Sequence, residues 1–291
     1  MPFWFWALVV FVYGTVVGSF LNVCICRMPK DESIIKPPSH CPKCGTQLRV
    51  LDLVPLISFL ALGRKCRYCG EPIGWRYFLV ELATGVLSVA LFWKYVGIEG
   101  SLPDFLAFAL FSAALIAVFF IDLEHWIIPD QLSVFGIVLG VLRDVYGAAV
   151  GDPAHSLYRI PIPMTGFELP MLRSIVGLIV CGGLFYLIAV LGEAAFKKEA
   201  MGGGDIKLAA AVGTVLPLPL ALLSFFVAVF VGSVIGIGGK IADRKKRKEQ
   251  DEEYLGYLPF GPMMVIGVIV VLFIGQTMIN AYLKYLRIGG L

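Results

Sequence analysis

The chain of 291 residues is 58% hydrophobic, only 15% charged and close to neutral, with a net charge of +3. This composition argues against a soluble domain, in which about a quarter of the residues are charged. Several uncharged apolar stretches approach the roughly 20 residues that a helix needs to cross a bilayer. We therefore predict an all-α polytopic membrane protein that contacts the lipid bilayer and no nucleic acid.

Eight apolar segments follow one another along the chain. We predict helices at 3–26, 77–96, 105–121, 131–149, 171–193, 206–216, 220–237 and 263–286. The sixth is marginal as a span, and Pro217 and Pro219 separate it from the seventh, so seven crossings is the alternative to eight. The first segment follows no basic stretch and precedes no small-residue cleavage site, which favours a retained helix over a signal peptide.

The lysines and arginines predict the orientation of these helices. With eight spans, 18 of the 24 basic residues fall on the side that holds the segments 27–76, 122–130, 194–207 and 239–258. The positive-inside rule places that side in the cytoplasm and both termini outside. We expect the basic run 244–248 to be a solvated loop, with a surface for acidic lipids as the alternative. The Pro- and Gly-rich segment 150–170 is expected to be an irregular outer loop.

Two Cys-x-x-Cys-Gly turns lie 21 residues apart in the polar region 27–76, at Cys41, Cys44, Cys66 and Cys69. Such turns aim two sulfurs at one point, and thiolates are tetrahedral zinc ligands. A cytoplasmic location disfavours lasting disulfides. We therefore predict a structural zinc site between the first two spans, with a redox dithiol or unconnected thiols as alternatives. The region buries little apolar surface, so metal binding would supply much of its folding free energy.

Two acids meet the membrane on the same predicted side. Asp122 ends the third apolar segment, and Asp205 follows the glycines 202–204 at the start of the short sixth segment. Two carboxyls within reach of each other share a proton, the arrangement with which aspartic proteases activate water and polarise a peptide carbonyl. The glycines would leave room for an extended substrate backbone. The alternatives are that Asp205 caps a helix beginning at Ile206 and that Asp122 reaches to interfacial water.

Two further acids have simpler interpretations. Asp130 follows Pro129 and is expected to cap the next helix, and Glu81 is expected to make an interhelical hydrogen bond within the membrane. A transporter using Asp122, Asp205 and Glu81 as a proton relay is a second function class. Such carriers have internal repeats and midplane sites, and neither feature is evident. A zinc-binding membrane scaffold without chemistry would leave the paired acids unexplained.

Six stretches, taken in order, carry a family resemblance. They are 18–23 with Arg27 and Pro29, the four cysteines, 76–85, 121–130, 202–208 and 259–262. Over nearly its whole length the chain resembles the type IV prepilin peptidases, bifunctional membrane aspartic proteases of the GxGD type. It departs from the family at Gly203, where a larger residue is common, and in the long segment 150–170.

The resemblance implies a function for each part of the chain. Asp122 and Asp205 would be the catalytic dyad, cutting type IV prepilins or pseudopilins after a glycine on the cytoplasmic face of the bacterial inner membrane. N-methylation of the new N-terminal residue, usually Phe, would use S-adenosylmethionine, although no glycine-rich nucleotide loop indicates where that donor binds. The expected parts are a first helix (1–26), a methyltransferase-associated zinc region (27–76) and a peptidase domain (77–291).

Overall fold

The computed structural model describes residues 2–151, 157–161, 168–197, 201–244 and 259–288, and these are mostly helical. The long helices are α1 (Phe3–Arg27), α3 (Trp75–Phe92), α4 (Leu102–His125), α5 (Asp130–Ala149), α6 (Arg173–Phe196), α8 (Leu218–Arg244) and α9 (Phe260–Ile288). Two shorter helices are α2 (Ile57–Ala61) and α7 (Gly203–Val215). The last turns of α3 continue as a π-helix over Trp93–Ile98.

Each of the eight predicted apolar segments is helical, which confirms the all-α polytopic membrane fold. Among the described residues, seven helices are long and apolar enough to cross a membrane. The eighth segment is α7, whose 13 residues span about 20 Å at 1.5 Å per residue. The hydrocarbon core is about 30 Å thick, so α7 is too short to cross it upright.

The segment 150–170, predicted to be irregular, contains one strand of a small ribbon and most of the other. Strands β1 (Leu157–Pro161) and β2 (Glu168–Leu172) pair antiparallel, with Leu157 opposite Leu172. A two-stranded ribbon leaves each strand an outer edge, where a proline that lacks an N–H is tolerated. Residues 152–156 and 162–167 lie outside the described part of the chain, as do most of the predicted basic loop (245–258) and residues 198–200.

The chain divides into two compact units, Met1–Ile121 and Asp122–Leu291. In the first unit, α1 packs against α3 through small residues that bring the two backbones together. A Cβ at Gly18 would lie 2.7 Å from the Cα of Glu81, and one at Gly14 would lie 2.9 Å from the Cα of Gly85. The predicted division at residues 26 and 76 follows the membrane and the expected activities, and it stays a prediction.

In the second unit, α7 packs against α5 and α6. A Cβ at Gly177 of α6 would overlap the carbonyl of Gly213, and one at Gly140 of α5 would lie 2.6 Å from the carbonyl oxygen of Thr214. From Leu208 to Leu216, the residue that follows α7, every residue is buried except Ala210, which is half-buried. The short helix is therefore packed tightly from Leu208 onward, whereas the residues of its first turn are exposed or half-buried.

Candidate active site and metal centre

Asp122 lies in the last turn of α4 and is 6% exposed. Its Oδ2 accepts a hydrogen bond of 3.0 Å from the backbone N–H of Gly261, the second residue of α9. The N-terminus of a helix carries unsatisfied N–H groups and a partial positive charge. The α9 terminus therefore holds the Asp122 carboxylate in place through a backbone donor.

Asp205 is the third residue of α7, in its first turn. The helix begins at Gly203, three residues earlier than predicted, and its N-cap Gly202 makes no side-chain capping bond. Asp205 is therefore not the N-cap residue of a helix that begins at Ile206, although its carboxylate accepts a hydrogen bond from the backbone N–H of Gly202. The glycines do not break the helix, because Gly203 and Gly204 have negative φ angles and α7 is buried from Leu208 onward, apart from the half-buried Ala210.

Ile128 brings the two acidic segments together. A Cβ at Gly204 would lie 3.0 Å from the Cβ of Ile128, and a Cβ at Gly261 would lie 3.3 Å from its Cδ1. The Asp122 carboxylate is close enough to act electrostatically on Asp205. Burial first, and then this neighbouring carboxylate, raise the pKa of Asp205 to about 6. The structure thus brings the two predicted acids close together. Asp122 accepts a hydrogen bond from a backbone N–H, and Asp205 has a raised pKa.

Asp130 is the first residue of α5, and its predicted role as the helix cap is wrong. The N-cap position belongs to Pro129, with no side-chain capping bond. The Asp130 carboxylate instead accepts two hydrogen bonds from Lys207 Nζ, each of 2.7 Å. No local sequence pattern indicates this pair, because its residues are 77 positions apart.

Glu81 of α3 is buried and accepts a 2.8 Å hydrogen bond from the backbone N–H of Leu56 in the polar region. The hydroxyl of Ser19 on α1 also lies within reach of its carboxylate, in agreement with the predicted interhelical bond. Leu56 has φ +60°, and Ile57 N–H donates to the carbonyl of Pro55 over 2.6 Å. These features define a strained γ-turn. The buried carboxylate holds that turn in place.

The four predicted zinc ligands come together. Their sulfurs all lie within 4.8 Å of one another, and Cys41 Sγ is 3.8 Å from Cys69 Sγ. Zinc–sulfur bonds of about 2.3 Å in a tetrahedron separate neighbouring sulfurs by about 3.8 Å. Gly45 and Gly70 close the two turns with φ of +69° and +73°. The cluster therefore fits one tetrahedral metal ion.

Asp52 orients the second cysteine turn, a role that the sequence does not reveal. Its carboxylate accepts hydrogen bonds from Arg67 Nε at 2.6 Å and from the Tyr68 hydroxyl at 2.9 Å. The hydrogen bond from the Arg67 guanidinium is the main cause of the lowered pKa of the Asp52 carboxyl. Both donors stand between Cys66 and Cys69, so the contacts fix the loop that carries two sulfurs.

A buried amide stands out in the first unit. Asn22 of α1 is 3% exposed, and its Nδ2 donates to the carbonyl of Tyr77 at 3.0 Å. Its Oδ1 is buried and has no hydrogen-bond partner within the described residues. Such orphaned acceptors are rare in folded proteins, so Asn22 has a hydrogen-bonding capacity that the protein alone does not use.

Known proteins match both units of the chain. The profile of the Bacterial Peptidase A24 N-terminal domain matches residues 12–95, and that of the Type IV leader peptidase family matches residues 109–237. No solved structure matches the chain significantly.

Three relatives carry the name prepilin leader peptidase/N-methyltransferase. The Bacillus subtilis (strain 168) protein is 31% identical over 276 residues, which cover 95% of this chain and 97% of that protein. The Myxococcus xanthus protein is 36% identical over 79% of this chain and 62% of its own length. The Pseudomonas aeruginosa protein is 29% identical over 94% of this chain and 91% of that protein. The chain therefore belongs to the prepilin leader peptidase/N-methyltransferase family.

Proposed function

We propose that this chain is an aspartic endopeptidase that removes the leader peptide of type IV prepilins or pseudopilins and then methylates the new N-terminus. Cleavage follows a glycine, and the methylated residue is usually Phe. The names of its relatives support both activities. The many basic residues of segment 27–76 support an orientation with the zinc region and the catalytic aspartates facing the cytoplasm, and we infer the bacterial inner membrane from the family.

The grouping of Asp122 and Asp205 carries the proposal of peptidase chemistry. The N–H of Gly261 donates to the Asp122 carboxylate and fixes its orientation, and we assign Asp122 as the general base. Burial and the Asp122 charge keep a proton on Asp205 to a higher pH than usual, which suits an acid that polarises a carbonyl. Two neighbouring carboxyls cannot both ionise easily, so the pair is expected to share one proton, and we assign that proton to Asp205.

The cleavage proceeds by addition of water to the scissile carbonyl. Asp122 takes a proton from the water as its oxygen attacks the carbonyl carbon, while Asp205 gives its proton to the carbonyl oxygen. The tetrahedral intermediate collapses with breakage of the C–N bond. The proton on Asp122 then passes to the departing amine, and Asp205 recovers a proton from the new carboxyl group. Both groups thereby return to their starting states.

Methylation is assigned to the first unit. S-adenosylmethionine, when bound, supplies an electrophilic methyl group to the new terminal amine. Asn22 Oδ1 is a buried acceptor without a partner in the described chain, and the carboxylate of Glu81 lies on the facing helix. These acceptors suit the ammonium or hydroxyl groups of the donor, and we infer that they hold it. Zinc at the four cysteines would have a structural role, fixing the segment between α1 and α3.

The decisive experiment separates the two activities. Asp122→Asn and Asp205→Asn keep the side-chain shape but remove the base or the acid, so we expect prepilin cleavage in membranes to fall to background. Methylation of a leaderless pilin with labelled donor should continue in both variants. Asp144→Asn is the matched control, because that buried carboxylate caps α6 through Ser174 N–H at 2.6 Å, a bond that an amide oxygen can also accept. Wild-type cleavage by either dyad variant would contradict the proposal.

A further inference from the structure

An exposed ion pair joins the two segments that lead to the proposed dyad. Lys207 Nζ lies 2.7 Å from both carboxylate oxygens of Asp130. The side chains are 53% and 62% exposed. Asp130 begins α5, and Lys207 is the fifth residue of α7. The pair therefore connects the N-terminal ends of two helices over a long sequence separation.

Helix geometry places this ion pair on the face of α7 opposite the Asp205 side chain. Lys207 follows Asp205 by two positions, about 200° around an α-helix, so the two side chains leave α7 on opposite faces. On the other partner, Asp130 stands two positions after Ile128, which packs against Gly204. Gly204 and Lys207 are three positions apart and are neighbours on one face of α7, so Ile128 and the ion pair together hold that face of its first turn.

Folding stability does not account for such a pair. Ion pairs between exposed side chains contribute little to stability, because water screens them and the side chains lose freedom. A catalytic group that is displaced by about 1 Å can lose about 100-fold in rate. A contact that contributes little to stability can therefore still have a large effect on the catalytic rate when it lies beside the dyad.

We propose that Asp130 and Lys207 are positioning residues of the peptidase, which hold the first turn of α7 so that Asp205 faces Asp122. This inference rests on the proposed function. Neither side chain touches the reacting atoms in this role. Loss of the pair lets the turn move and lowers the rate of the chemical step, whereas substrate binding is little affected.

A charge-exchange series on the full-length protein in lipid tests the inference. Asp130→Lys and Lys207→Asp place like charges together, and each is expected to lower kcat for prepilin cleavage by about tenfold or more with KM changed less than about threefold. The double variant Asp130→Lys/Lys207→Asp restores an opposite pair. We expect it to recover kcat to within about threefold of wild type. Lys207→Arg should also retain activity, because a guanidinium can bind a carboxylate through two hydrogen bonds.

Matched controls address the change of charge itself. Glu193→Lys and Lys197→Asp alter exposed residues at the end of α6 and are expected to leave kcat unchanged. Thermal midpoints within a few degrees of wild type would show that the variants are folded. The inference is overturned if both single variants cleave normally. It is also overturned if the double variant is no better than the worse single one, or if only Lys207→Asp is impaired, as expected for a lysine that binds lipid or substrate directly. Failure of the proposed function is distinct, because wild-type protein would then not cleave prepilin at all.

Discussion

Replacing Gly261 with alanine tests how closely the start of α9 is fitted to Asp122. The new Cβ would lie 2.5 Å from Asp122 Oδ2 and 3.1 Å from its Cγ. Real Cβ atoms essentially never approach other atoms more closely than 3.0 Å. The carboxylate must therefore retreat by about half an ångström or more, and on the scale of 100-fold per ångström we expect a loss of about 10- to 100-fold in kcat.

The same substitution should have a small effect on folding. Alanine gains about 1 kcal/mol over glycine in a helix, and overpacking at a buried site costs about 1–3 kcal/mol. The net loss is then about 0–2 kcal/mol, so Gly261→Ala should accumulate in membranes and unfold at a slightly lower temperature than wild type.

The measurement is kcat for prepilin cleavage, determined beside the thermal midpoint of each purified protein. Gly183→Ala is the matched control, because a Cβ at that helical position of α6 meets no atom within 4 Å, and it should cleave normally. Full activity of the folded Gly261→Ala protein would refute the reasoning that the Gly261 N–H and its close approach hold the Asp122 carboxylate for catalysis.

Three further predictions concern the metal, the pH dependence and the glycines. Purified protein should contain about one zinc ion per chain by elemental analysis. Cys66→Ser should lose the zinc, and Cys181→Ser, at a buried cysteine that is not one of the four, should keep it. A metal-free, folded wild type would exclude structural zinc. In the proposed mechanism cleavage needs protonated Asp205, so kcat/KM should decline as pH rises through its pKa of about 6. A profile that stays flat to pH 8 would contradict this role. Gly203→Ala adds a Cβ with no neighbour within 4 Å, so it should fold normally and raise KM several-fold if substrate occupies that space; unchanged KM would remove the substrate interpretation of this glycine.

The features that were predictable from sequence are those with a local pattern. Apolar runs predicted the eight helical segments, and the repeated cysteine turn predicted four sulfurs around one point. The charge distribution predicted that Asp122 and Asp205 lie on one side of the membrane. In the structure both belong to the second unit and lie close enough to interact electrostatically. These predictions succeed because hydropathy and ligand spacing are local properties that depend little on the rest of the fold.

The missed features depend on contacts between distant residues. Glycine propensity predicted that α7 begins at Ile206, but tertiary packing of the buried helix outweighs that weak preference, and α7 begins at Gly203. The donor to Asp122 is the backbone N–H of Gly261, and no side-chain pattern in the sequence indicates it. Asp130 was predicted as a cap because its position before a helix suits that role, whereas its partner is Lys207, far away in sequence.

The helix α4 belongs to both compact units, since the boundary between them falls between Ile121 and Asp122 within one continuous helix. The match to the first family profile, by contrast, ends at residue 95, and the match to the second begins at residue 109. An engineered separation of the two matched domains should therefore cut the chain at the turn around Gly100, where φ is +71°, so that all of α4 stays with the C-terminal domain. A cut at the compact boundary would leave Asp122 on a frayed terminus, without the helix that presents it.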